Sequence, residues 1–100
     1  MIRWSELDKH ERLHVARDFE LRIESAMSQV PLLPERDVQS VRRMFEGNEW
    51  GLALEILCTQ ICEWGIRVRA ETVRSLESLS DDMGIDLDYT DLLREELMDP

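Results

Sequence analysis

Glycine occurs only four times and proline three times in this chain of 100 residues, which leaves no material for a flexible linker or a low-complexity arm. No internal repeat of solenoid length is present. Long apolar runs are missing as well: nowhere do about 18 consecutive apolar residues occur, and the opening MIRWSELDKH lacks the apolar stretch of a secretory signal. A cytoplasmic location is therefore expected. Cysteine is limited to Cys58 and Cys62, four apart on one face of a predicted helix, too local to staple a fold and suited to a reducing compartment. Catalytic signatures are absent too. With no Gly-rich phosphate loop, no Gly-x-Ser-x-Gly and no recognisable acid–base carboxylate pair, neither enzymatic activity nor a cofactor is expected.

What the chain does have is apolar residues, 43%, enough for one core, and a single helical domain over 1–100 is expected. It also has acid. Of the net charge of −10, residues 77–100 carry −8, with nine acids (Glu77, Asp81, Asp82, Asp86, Asp88, Asp91, Glu95, Glu96, Asp99) against one base, Arg94. Such a field repels nucleic acid and anionic membrane and steers a basic protein on encounter; it also serves solubility.

The apolar pattern is helical. Ser5 with Asp8 three residues later reads as a helix start, and Val15, Ala16, Phe19, Ile23, Ala26, Met27 and Val30 recur at three- and four-residue steps. PLLPE breaks that helix at Pro31, and Pro34 suits the first position of a second, with Val38, Val41 and Phe45 as its face and Met44 beside them. Gly47 is expected to stop it and Asn48 to cap the next, making the tight joint of an αα-hairpin. Helix three runs to about Trp64 with Gly65 as its stop. Helix four covers about 71–83 before Gly84, with Val73, Leu76, Leu79 and Met83 as its face. A short fifth has Thr90 as its cap and Leu92, Leu93 and Leu97 inward. IRVRAETV alternates briefly but has no sheet to join. The expected fold class is all-α, a small bundle of four to five helices.

Helix three carries an anomaly. At about 100° per residue, Trp50, Ala53, Leu54, Leu57, Ile61 and Trp64 occupy one arc about 100° wide, the width of a core-facing stripe. Leu52 and Ile56 fall outside it, among Glu49, Glu55, Thr59 and Glu63. Such a carboxylate-ringed apolar pair can pack on the tail helix or on Leu7, Leu13 and Leu21 of helix one. Alternatively it can grip a basic protein, contact area supplying affinity and the rim supplying register. Tyr89, amid Asp86, Asp88 and Asp91 in a loop-like segment, is either an anchor of the same kind or a ring packed on the bundle.

The stretch FEGNEWGLALEILCTQICEW, followed by an acidic helix ending in DDMGIDLD, resembles the core signature of small helical immunity proteins of the MafI type, found in bacterial polymorphic-toxin and contact-dependent growth inhibition systems. The matching positions are Gly47, Glu49, Gly51, Ala53, Leu54 and Glu55, within about 44–88, with an insertion between Gly47 and Glu49. This resemblance implies a cytoplasmic inhibitor that binds the toxic domain of its cognate toxin, often a nuclease, and blocks it. Charge leads independently to a similar partner, since a nuclease presents a basic cleft that an acidic protein can cover or flank. The expected partner-binding residues are Glu49, Leu52, Glu55, Ile56, Glu63, Asp81, Asp82, Asp86, Asp88, Tyr89 and Asp91. The partner is expected to be a toxin domain rather than nucleic acid or membrane, and the chain a monomer. The alternative is an acidic adaptor in which Leu52 and Ile56 seed a homodimer.

His10 and His14 on helix one and Cys58 and Cys62 on helix three have a spacing that suits zinc, yet all four project away from the main apolar stripes, and no metal is expected. Arginine outnumbers lysine eleven to one, and Arg42 with Arg43 on helix two could pair with the tail acids. Trp50 and Trp64 are expected in the core, and Trp4 over the end of the bundle.

Overall fold

Asp8 stands in extended backbone, and its carboxylate accepts the Glu11 N–H at 2.8 Å while the Glu11 carboxylate accepts the Asp8 N–H at 3.4 Å, a complete capping box. In the computed structural model, which describes residues 4–99, that box opens α1, Lys9–Ser28. Ser5 belongs instead to a preceding 3-10 turn, Trp4–Glu6; the Trp4 side chain lies outside what is described. Four helices follow: α2 Glu35–Glu46, α3 Trp50–Trp64, α4 Ala70–Met83 and α5 Asp88–Leu92, the last continued by a π-helical turn at Leu93–Leu97. The fold is a small all-α bundle, with no strand among the described residues.

The ends of α2, α3 and α4 close by one device. After α3, the Gly65 N–H donates to Cys62 O and the Ile66 N–H to Ile61 O, both at 3.1 Å; after α4, Gly84 and Ile85 repeat the pattern on Asp81 and Ser80. Gly65 and Gly84 sit at φ 61° and 70°, where glycine has no Cβ penalty. At the end of α2 the left-handed residue is Asn48, at φ 58°, its N–H on Phe45 O and the Glu49 N–H on Met44 O, while Gly47 keeps φ −96°. The joint is thus displaced by one residue from expectation. Asn48 terminates α2 rather than capping α3, whose N-cap Glu49 makes no side-chain cap bond. Asparagine tolerates this conformation better than other residues with a Cβ. Asn48→Gly is therefore expected to raise stability by about 0.5 kcal/mol and Asn48→Val to cost about 1–2 kcal/mol, read as denaturation midpoints.

α3 is the centre of the molecule, in contact with every other helix and with the π turn. Its Ala53, Leu54, Leu57, Cys58 and Ile61 are completely buried, against Ile23, Ala26 and Met27 of α1, Val41 of α2, Val73, Leu76 and Leu79 of α4, and Leu93 of the π turn. Surrounded on several sides, α3 buries a wider sector than a single stripe. Cys58 accordingly lies in the core and not on a back face, and burial pushes its thiol up to about 12. Trp64 departs in the opposite sense: it is half exposed, its indole N–H donates to Asp37 Oδ2 at 2.9 Å, and Arg36 lies 5.4 Å over its ring. Asp37, in the first turn of α2, is itself buried and also accepts from Gln60 Nε2 at 2.9 Å.

The tail is clasped to the α3–α4 connection. The Val68 N–H donates to Leu97 O and the Asp99 N–H to Val68 O, each at 2.8 Å, around one isolated parallel bridge between Val68 and Met98. That bridge is all that comes of the alternation in IRVRAETV. Within α5, Thr90 is buried with its hydroxyl donating to Leu87 O, so it is not the cap, and Leu92 faces outward.

Candidate protein-binding surface

The acidic segment folds around the end of α4. Ser80, buried at the helix's last turn, donates its hydroxyl to Ile85 O at 2.6 Å while accepting the Ile85 N–H on its carbonyl. This pins the reversal at Gly84 and carries the chain into α5. Between the two helices lies an open hollow of about 620 Å³ lined by Glu77, Asp81, Ile85, Asp86, Leu87 and Asp91, among others. Asp81, Asp86, Asp88 and Asp91 are all exposed, and none of the four has an ion-pair partner within 4 Å among the described residues. Glu77 is different: Arg94 of the π turn forks onto it at 2.8 and 2.5 Å. Those hydrogen bonds hold the Glu77 carboxyl below its ordinary range and raise the Arg94 guanidinium.

Asp82 is also engaged internally. Arg22 of α1 reaches it at 2.8 Å and bonds Asp18 and the Ser78 hydroxyl as well, so Asp82 ties α4 to α1 instead of standing free for a partner. Arg42, expected against the tail acids, forks onto Glu24 of α1 at 2.7 and 3.0 Å.

A second hollow of about 440 Å³ lies at the start of α3, with Phe19, Glu49, Leu52, Asp82, Met83 and Ile85 in its lining. Ile85 lines both depressions. Glu49 and Leu52 therefore join the acidic α4–α5 region across a single side chain. Leu52 is 45% exposed, whereas Ile56 is half-buried and packs on the core, so the apolar pair read from the sequence divides into one surface residue and one structural residue. Leu13 and Leu21, possible covers for that pair, are themselves exposed. Glu55 is exposed, and Glu63 lies two turns further along, about 12 Å, lining neither hollow. Tyr89 belongs to α5 and not to a loop, and its half-buried ring packs against the core.

No known family model, curated protein or solved structure matches the chain. No helix among the described residues is long and apolar enough to cross a membrane. His10 and His14 are exposed on α1 while Cys58 is buried in α3, and among the described residues no group of three or more His, Cys, Asp or Glu is placed to hold a metal ion. Burial, and then the Glu63 and Glu96 carboxylates, raise the Cys62 thiol, so both cysteines stay protonated at neutral pH.

Sequence reasoning missed Ile85 and the Glu77–Arg94 fork. Ile85 follows a helix-stopping glycine, where apolar periodicity has ended. The fork joins residues 17 apart, across two elements whose packing no local pattern encodes.

Proposed function

We propose that this chain is an immunity-type inhibitor that binds the toxic domain of a cognate bacterial toxin in the cytoplasm. The observation that carries the reading is the carboxylate set Asp81, Asp86 and Asp91 around a hollow that meets the exposed Leu52 across Ile85, with Asp88 exposed on the adjoining first turn of α5 and none of the four ion-paired among the described residues. Carboxylates without internal ion-pair partners are open to a basic surface, and a recess among them admits an arginine or lysine side chain. Leu52 adds an apolar contact beside the charged rim. A nuclease domain suits this face, because the cations that hold its substrate's phosphates are those an acidic protein can occupy or screen. The resemblance to MafI-type proteins, over about 44–88, takes in most of both hollows. Inhibition on this reading requires only occupancy, with no chemistry from the inhibitor.

The test is a titration against the C-terminal domain encoded by the reading frame immediately upstream. Binding is expected to be tight, to weaken at least tenfold between about 50 and about 500 mM salt, and to weaken by about ten- to a hundredfold in the Asp86→Asn/Asp88→Asn/Asp91→Asn triple variant. No binding, or binding indifferent to both salt and the triple variant, rules the electrostatic mechanism out.

A further inference from the structure

Gly51 lies in the first turn of α3, and its φ is outside the left-handed region that Gly65 and Gly84 adopt. Backbone conformation therefore does not call for glycine there. Packing does not call for it either: a methyl group built on Gly51 would meet, apart from its own turn of helix, only the Ile85 side chain among the described residues, at 3.8 Å from Cδ1 and 4.0 Å from Cγ2, an ordinary van der Waals distance. Alanine is the better helix former and would fit. What the missing side chain does is open space, because Gly51 and Ile85 both line the hollow of about 440 Å³ at the start of α3, and a Cβ would narrow it between them.

The walls of this hollow decide what it suits. Phe19, Trp50, Met83 and Ile85, all half-buried, supply ring edges, a thioether and methyl groups, and Leu52 adds an exposed apolar rim. Bare helix backbone at Gly51 makes one side flat. A planar ring fits such a slot better than a branched aliphatic chain, since ring edges and sulfur both make favourable contacts with an aromatic side chain. Also in the lining is Glu49, which is exposed, makes no cap bond and has no ion-pair partner within 4 Å among the described residues. A cation carried next to the ring would meet that carboxylate. The acidic hollow begins on the other side of Ile85, so one partner segment can occupy both depressions.

We infer that the hollow at Gly51 is a specificity pocket for an aromatic side chain of the basic partner, inserted beside the arginine or lysine that the acidic hollow takes. The inference rests on the inhibitor reading and sharpens it: the carboxylates draw in basic proteins in general, whereas a ring correctly placed beside the cation distinguishes one toxin domain from another. Glycine at this position gives up stability of the free chain for depth of the pocket.

The test uses the full chain and the C-terminal domain encoded by the reading frame immediately upstream. Gly51→Ala is expected to raise the melting temperature by about 2–6 °C through helix propensity, and to weaken binding by about tenfold or more because the pocket is overfilled. Gly47→Ala is the matched control. Its methyl group would also meet only ordinary contacts, Glu49 Cγ at 3.6 Å and Met44 O at 4.0 Å, but Gly47 lines neither hollow, and affinity is expected to stay within about twofold of the parent. A benzophenone amino acid at Leu52 is expected to cross-link to a partner segment in which an aromatic residue stands within about four residues of a lysine or arginine. Alanine at that aromatic residue is expected to weaken binding to the parent by about tenfold or more, but binding to Gly51→Ala by about threefold or less, because there the ring is no longer seated. If Gly51→Ala binds as tightly as the parent, melts below it, or couples to no aromatic residue of the partner, the inference is overturned while the inhibitor reading stands. If the parent itself does not bind the domain, both fall.

Discussion

Leu57→Ala is expected to remove about 3–4 kcal/mol of folding free energy and to lower the melting temperature by roughly 15–25 °C. Leu57 is completely buried in α3, which packs against every other α-helix, so the lost methyl groups leave a space enclosed on several sides. A site walled by separate helices collapses little, which places the change toward the middle or upper part of the usual leucine-to-alanine range. Against a total stability of about 5–15 kcal/mol the effect is large, and at the lower end the variant is partly unfolded at physiological temperature. Leu32→Ala serves as the control, since Leu32 is 78% exposed, and it is expected to stay within about 0.5 kcal/mol of the parent. Urea denaturation of the three proteins gives the comparison directly. A shift of less than about 1 kcal/mol at Leu57 would mean that α3 is not the centre of the core.

Asp37→Ala is expected to cost about 2–3 kcal/mol. Asp37 is only 6% exposed, with no base as its partner among the described residues; what holds its carboxylate is the Gln60 amide, the Trp64 indole N–H and the positive end of α2. Alanine leaves both donors without their acceptor. Gln60 then suffers more than Trp64, whose ring is half open to water and keeps its stacking on Arg36. Asp37→Asn separates shape from bonding. An amide fits the same space but turns an NH₂ group toward one of two donors, so it is expected to lose at least half of what alanine loses. Denaturation of Asp37→Ala, Asp37→Asn and the parent settles the matter: an asparagine variant as stable as the parent would show that the two hydrogen bonds contribute little.

Where the helices lie was legible in the sequence because three- and four-residue apolar spacing and the stops Gly65 and Gly84 are local signals, carried by the segments themselves. The errors came where a residue's fate depended on a distant partner. Trp64 satisfies the periodicity of α3, yet it sits on the first turn of α2 because Asp37, 27 residues earlier, accepts its N–H. Cys58 is off the main stripe, yet it is buried because α3 is packed on several sides by other helices. Asn48 and Gly47 both suit a helix end, and only the backbone path of the joint decides which takes the left-handed position. The proposed binding surface divides in the same way. Net charge marks the acidic segment, but the Arg22 contact to Asp82 and the packing of Ile56 and Tyr89 on the core are tertiary facts with no local signature.

The clasp between Val68 and the tail bears on the order in which the molecule can be completed. Until residues 88–97 dock, Leu93 is missing from the core and the wall of the acidic hollow that Thr90 and Asp91 supply does not exist. A chain whose tail is undocked therefore has an incomplete core and an unfinished face at once. The recess among Asp81, Asp86 and Asp91 and the last part of the core are therefore completed by the same segment, so that this face exists only on a chain whose core is closed.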